Sequence, residues 1–216
     1  MDSQGNATVA CGLDWREVEC GVLEVMMGQC AADEAAVFCE AAGFWLLPAT
    51  RELTAANELL QEVTQKHALL KTRWAGWIEG FDWVLLDCPP TLNLLTVNAM
   101  VAADSVLVPI QCEYFALEGV SALLDTVGQI RERINPQLKI AGFVRTMFDQ
   151  RSRLTREVSD NLFAHLKGLV FETAIPRNVR LAEAPSYGVP IMQYDGKSRG
   201  AQAYRKVAEE LVARVG

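Results

Sequence analysis

The run Phe81-Asp82-Trp83-Val84-Leu85-Leu86-Asp87-Cys88-Pro89-Pro90-Thr91 decides how this chain is read. Trp83 to Leu86 is apolar without alternation and too short for a helix. That pattern predicts a strand buried on both faces, as in a parallel sheet covered by helices. The prolines end the ladder, because each lacks an N–H and has a fixed φ. An Asp at the C-terminal end of such a strand lies at the rim where open α/β sheets place ligands. There Asp87 can hold a hard cation through oxygen, usually with water between. It can equally do no more than cap the helix that begins near Thr91.

Outward from this run, apolar stretches and turn residues alternate. Phe44–Leu47 is a short strand candidate closed by Pro48, and Ser105–Ile110, Lys139–Met147 and Val170–Ile175 are three more. Helical periodicity marks a short amphipathic segment within residues 15–32. Longer helices are expected from Thr50 to about Leu70, over Leu92–Ala103, Leu117–Ile134, Leu154–Leu166 and Ala203–Val215. Strands alternating with helices of this length mean repeated βαβ units and a largely parallel sheet. With no repeat, linker or low-complexity tract, residues 1–216 read as a single domain.

Half of the residues are hydrophobic and 22% are charged, an ordinary balance for a globular chain. No stretch reaches the roughly 18 apolar residues of a membrane span, and the N-terminus lacks the basic start and apolar core of a signal peptide. The six cysteines show no C-x-x-C pair and no histidine cluster, so they read as buried thiols of a reducing compartment, not staples or zinc ligands. The net charge is −7 but uneven: residues 1–144 carry −11 and residues 145–216 carry +4. A local basic face for a polyanion is compatible with that distribution.

Three polar segments fall where an open α/β sheet builds its site: Asp2-Ser3-Gln4-Gly5-Asn6-Ala7, Asp87-Cys88-Pro89-Pro90, and Ile175-Pro176-Arg177-Asn178 with the residues that follow. Two carboxylates and an Arg/Asn-bearing loop suit phosphate and Mg²⁺. His67 and His165 have no Ser or Cys placed beside them by spacing and read as surface residues of helices. Trp74 and Trp77 read as core or interface anchors. The last helix sets Tyr204, Val207, Ala208, Leu211, Val212 and Val215 on one broad face, but Glu209, Glu210 and its alanines favour core packing over a membrane anchor.

Across essentially its whole length the sequence resembles the ParA/Soj family of chromosome- and plasmid-partitioning ATPases, relatives of MinD. The resemblance rests on Asp-Ser-Gln-Gly-Asn-Ala-Thr at 2–8, Leu-Leu-Pro-Ala-Thr at 46–50 and Phe-Asp-Trp-Val-Leu-Leu-Asp-Cys-Pro-Pro at 81–90. It continues through Pro-Ile-Gln-Cys-Glu-Tyr-Phe-Ala-Leu-Glu-Gly at 109–119, Thr-Met-Phe-Asp at 146–149, Ile-Pro-Arg-Asn-Val-Arg-Leu-Ala-Glu-Ala-Pro-Ser at 175–186 and Ser-Arg-Gly-Ala at 198–201. It implies a three-layer P-loop NTPase-like α/β fold with a mostly parallel sheet, using ATP and Mg²⁺. It also implies a homodimer, non-specific DNA binding, a ParB-like centromere-binding partner and a cytoplasmic, nucleoid-associated location away from the membrane. Position by position, Asp2 resembles the switch I aspartate that orients the attacking water, and Asp87 the Walker B aspartate on Mg²⁺. Pro176 and Asn178 match the loop on the adenine, and Arg177, Arg180, Lys197 and Arg199 lie where the family carries DNA-contacting basic residues.

One departure stands beside the match: the family's Lys-Gly-Gly-x-Gly-Lys-Thr-Thr loop is not among these residues. Its backbone N–H groups and lysines supply most triphosphate binding. The 216-residue chain is therefore expected to bind ATP poorly, give no thermal shift with Mg-ATP and expose an uncovered strand edge prone to aggregation. The reading frame is expected to continue upstream into that loop about 30 residues before Met1. The alternatives are a non-catalytic remnant that binds another protein, and a MinD-like membrane-cycling ATPase.

Overall fold

The computed structural model describes all residues, 1–216. The chain forms two compact units, one of residues 1–103 with 184–190, the other of residues 104–183 with 191–216.

The first unit is mostly short helices around one apolar cluster. Val22, Leu23, Val25 and Met26 of the Val22–Met27 helix are buried there with Leu53, Leu60 and Leu70. Each such side chain contributes about 1.5–3 kcal/mol by leaving water. Polar groups inside the cluster are paired. Glu24 accepts from Gly21 N at 3.0 Å and from Thr50 Oγ1 at 3.1 Å. Asn98, fully buried, accepts from Leu70 N and donates to the carbonyls of Lys66 and Leu94. A two-stranded antiparallel hairpin, β1 (Val37–Cys39) and β2 (Phe44–Leu46), carries an edge-to-face Phe38–Trp45 pair.

Several expectations change in this unit. Phe81–Pro90 forms no strand, and Trp83, Val84 and Leu85 are exposed. A strand exists only through a neighbour's hydrogen bonds, and neither two-stranded sheet pairs with this run. The helix expected from Thr50 to Leu70 is instead a series of short turns: Arg51–Ala55, Ala56–Leu59, Leu69–Arg73 and Ala75–Ile78. Thr50 does not cap, because its hydroxyl is spent on Glu24. Cys20 and Cys30 are joined in a disulfide, correcting the reading of six free thiols. The turn–helix–turn between them brings their Cα atoms to 6.8 Å, which no C-x-x-C spacing announces. Of the four free thiols only Cys39 and Cys112 are buried.

The second unit follows the βαβ expectation. β3 (Ser105–Gln111) and β4 (Lys139–Thr146) pair in parallel, joined through the Ala116–Arg133 helix. On β4's other side the 170–176 segment pairs through isolated parallel bridges, Phe143 with Val170 and Phe148 with Pro176, in place of the expected regular strand. The Arg153–His165 helix packs Val158 and Leu162 into the cluster around Phe143. The final helix, Arg199–Val215, buries Ala203 and Val207 against Val144 and Phe171. Tyr204, Val212 and Val215, assigned to the same face from sequence, are exposed.

Gly142 is needed for this packing. The register jumps from Val106↔Ile140 to Leu107↔Gly142, so Ala141 is the extra residue of a bulge. Gly142 has φ 148°, and a Cβ there would stand 2.5 Å from the Leu169 carbonyl oxygen. Gly142→Ala is expected to cost about 3 kcal/mol, since both the backbone and its neighbour must shift. Denaturant unfolding reads this, and an unchanged midpoint would show that the strand relaxes freely.

Candidate functional site

Asp2 and Asp87 come together in the first unit. Asp2 Oδ1 accepts from Gln4 N at 3.0 Å and its carbonyl accepts from Gly5 N at 3.1 Å, closing a tight turn. Gly5 sits at φ 65°, a conformation glycine adopts without strain, and leads into the Asn6–Ala10 helix. Thr8, buried, accepts from Ala49 N at 3.0 Å, which ties this turn to the Leu-Leu-Pro-Ala-Thr segment. Asp87 follows the apolar Trp83–Leu86 residues within the unpaired 81–90 run.

The electrostatics place both carboxylates at one corner. Burial lowers the pKa of the Met1 ammonium, against the opposing pull of Cys88, Asp87 and Asp2. Burial likewise raises the Cys88 thiol; the ammonium works against this, and Asp87 and Asp2 add to it. No cluster of three or more His, Cys, Asp or Glu is assembled anywhere. Two carboxylates without further ligands suit a cation that keeps most of its water, the habit of Mg²⁺ and not of Zn²⁺. The magnesium part of a nucleotide complex therefore fits these residues. A glycine-rich donor loop for the phosphates is not among them.

In the second unit, Phe148 N donates to Ile175 O at 3.0 Å and Arg177 N to Phe148 O at 3.3 Å. These bonds bring the Thr-Met-Phe-Asp and Ile-Pro-Arg-Asn segments side by side, with Pro176 and Asn178 half-buried. Asn178 Oδ1 accepts from Arg180 N at 2.8 Å, opening the Val179–Glu183 helix. Arg177, Arg180, Lys197 and Arg199 are exposed, but they are not equivalent. Arg180 Nη1 donates to Glu183 at 2.8 Å and its Nε lies 3.6 Å from Asp195. Two carboxylates already neutralise it. Sequence reading passed over Arg145, buried near the end of β4; a cation directly after the apolar Ile140–Val144 stretch, within the expected strand, was the available signal.

A parallel βαβ unit with helices against it is the α/β architecture to which P-loop nucleotide-binding ATPases belong. A family model described as an AAA domain matches residues 1–140. The chromosome-partitioning ATPase Soj of Thermus thermophilus is 46% identical over 100% of this chain and 82% of its own length. The chromosome partitioning protein ParA of Caulobacter vibrioides is 42% identical over 99% of this chain and 80% of its own. Among solved structures, cobyrinic acid a,c-diamide synthase from Mycobacterium smegmatis with bound ATP analog and magnesium superposes with a TM-score of 0.83 at 33% identity, covering 98% of this chain and 79% of that one. The chain belongs to the ParA/Soj family of partitioning ATPases.

Proposed function

We propose that this protein is a partitioning ATPase that segregates chromosome or plasmid DNA. Its two units belong to one nucleotide-binding domain over residues 1–216. ATP and Mg²⁺ close a homodimer, the dimer holds DNA without sequence preference, and a ParB-like centromere-binding partner stimulates hydrolysis. The protein works in the cytoplasm, on the nucleoid. The observation that carries the reading is the meeting of Asp2 and Asp87 in a chain of this family.

Bound Mg-ATP supplies the phosphoryl group that is transferred to water. Asp87 holds the cation's hydration shell, and Asp2 orients the attacking water as a hydrogen-bond acceptor. Such chemistry works by positioning and electrostatics more than by covalent participation. Pro176 packs on the adenine and Asn178 hydrogen-bonds it. A glycine-rich donor loop for the phosphates is not among these 216 residues.

DNA binding by the full-length protein is expected to depend on ATP, to ignore sequence and to weaken steeply with salt. Each phosphate neutralised on duplex DNA contributes a slope of about −0.9 in log affinity against log salt. Replacing Arg177, Arg180, Lys197 and Arg199 together with Gln is expected to lower affinity uniformly across sequences and flatten that slope. Arg180, held by Glu183 and Asp195, contributes least. A sequence-specific footprint from this protein alone would refute the reading.

A further inference from the structure

The β1–β2 hairpin of the first unit turns an aromatic pair outward. Phe38 and Trp45 stand opposite each other in the register, so both lie on one face, with their rings edge to face at 5.4 Å. Phe38 is 41% and Trp45 50% exposed. A Cβ on Gly43, in the connecting turn, would meet nothing within 4 Å, so the tip of the hairpin is open. Cys39, next along β1, points the other way and is buried. Val37 and Phe44, at the hairpin's ends, add exposed apolar surface. Apolar surface of this kind with charged residues at its rim is the mark of an interaction site.

The charge around the hairpin has one sign. Between Arg16 and Arg51 the chain has no Lys, Arg or His, and its charged side chains are six carboxylates. Glu24 is buried and hydrogen-bonded. Asp33 and Glu34, on the Ala32–Ala35 helix directly before β1, and Glu40, directly after β1, are exposed. None of these three is in an ion pair. Such a rim repels nucleic acid and anionic lipid. It also disfavours a second copy, because a two-fold contact would set the same carboxylates against each other. A cationic segment is attracted. Arginine suits it better than lysine, since a guanidinium stacks on aromatic rings while it pairs with carboxylates.

We propose that the aromatic face of the β1–β2 hairpin docks an arginine-bearing, apolar peptide segment of a partner protein. Phe38 and Trp45 receive the guanidinium and its apolar neighbours, and Asp33 and Glu40 balance its charge. Rings already held by cross-strand pairing lose little freedom on binding, which favours affinity. The basic residues assigned to DNA belong to the second unit, so a cationic partner and a polyanion are served by different units. Docking here needs neither nucleotide nor DNA.

The test titrates the full-length protein with three end-blocked peptides of alternating sequence, Arg-Leu, Lys-Leu and Glu-Leu repeats, at low and constant ionic strength. Calorimetry reads affinity, and the indole N–H signal of Trp45, assigned with Trp45→Leu, reads location. The Arg-Leu peptide is expected to shift that signal saturably and to bind about threefold more tightly than the Lys-Leu peptide. The Glu-Leu peptide is expected not to bind. Trp45→Leu is expected to weaken the Arg-Leu peptide about tenfold and to erase the preference for arginine. Asp33→Asn combined with Glu40→Gln, both exposed changes, is expected to weaken it about threefold and flatten the salt dependence without moving the melting temperature. The proposal is overturned if the Arg-Leu peptide leaves the Trp45 signal in place, or if either variant binds like the parent. Equal affinity for the Arg-Leu and Lys-Leu peptides overturns the arginine assignment. A Trp45 signal that moves with duplex DNA, with anionic vesicles or on dilution of the protein alone gives the face to another occupant and overturns the proposal as well.

Discussion

Asp2→Ala in the full-length protein is expected to lose ATP hydrolysis by about a hundredfold or more while ATP binding persists, since positioned proton-accepting groups contribute about 10²–10⁴-fold. The carboxylate is assigned to water, not to the nucleotide, so affinity has no reason to fall. The same oxygen also accepts from Gln4 N at 3.0 Å, and Ala removes that turn contact as well. Asp2→Asn separates the two effects: it keeps an oxygen for Gln4 N but not the charge, and it is expected to be as inactive as Asp2→Ala. Asp87→Ala differs in kind. It removes negative charge from the cation's surroundings and is expected to weaken Mg²⁺-dependent nucleotide affinity together with hydrolysis. Steady-state hydrolysis beside equilibrium nucleotide binding checks both. If the three variants hydrolysed ATP at the parent rate, the site assignment would be wrong.

Glu210→Ala is expected to destabilise the second unit by about 3 kcal/mol, because it strands two backbone donors and an arginine at once. Glu210 accepts from Glu172 N at 2.9 Å and Thr173 N at 3.2 Å. Arg214 donates to Glu210 at 2.8 Å, to Gly168 O at 2.9 Å and to Val170 O at 3.0 Å, and lies over the Phe171 ring at 4.2 Å. The pair thereby fastens the last helix to the 168–173 segment. At this chain length the loss corresponds to a melting temperature lower by about 6–12 °C. Burial by itself raises the Glu210 carboxyl pKa, but the N–H groups of Glu172 and Thr173 and the Arg214 guanidinium outweigh it and hold the pKa below the ordinary value.

The sign for pH follows from that direction. A lowered folded pKa means the unfolded chain binds the proton more readily, so the contribution is in place above the unfolded value of about 4.3 and is lost as pH falls through the folded value. The gap in unfolding free energy between parent and Glu210→Gln is therefore expected to narrow between pH 7 and pH 3. A gap of the same size at both pH values would mean that packing, not charge, is what Glu210 supplies.

Elements whose signal is local were legible in the sequence. β3, β4 and the Ala116–Arg133 and Arg153–His165 helices lie within a residue or two of the periodicity reading, because apolar periodicity is a local signal, and the Ala116–Arg133 helix is also stopped by Asn135-Pro136. Asp2 and Asp87 were also legible as candidates, since a carboxylate beside a glycine turn and one closing an apolar run before two prolines are local patterns. What their meeting required was tertiary: the 81–90 run has to pass the Met1–Gly5 turn, and no spacing encodes that. The same run shows the limit of hydrophobicity as a guide. Trp83–Leu85 carries the composition of a strand, yet strand structure is a property of two segments, and here the second is not in either sheet. Thr50–Leu70 failed for a related reason: Thr50 prefers the buried Glu24 over a cap, and only packing decides between those partners. The Cys20–Cys30 bond likewise emerges only when separated residues converge, because a bond's partner is chosen by distance in space and the sequence records distance along the chain.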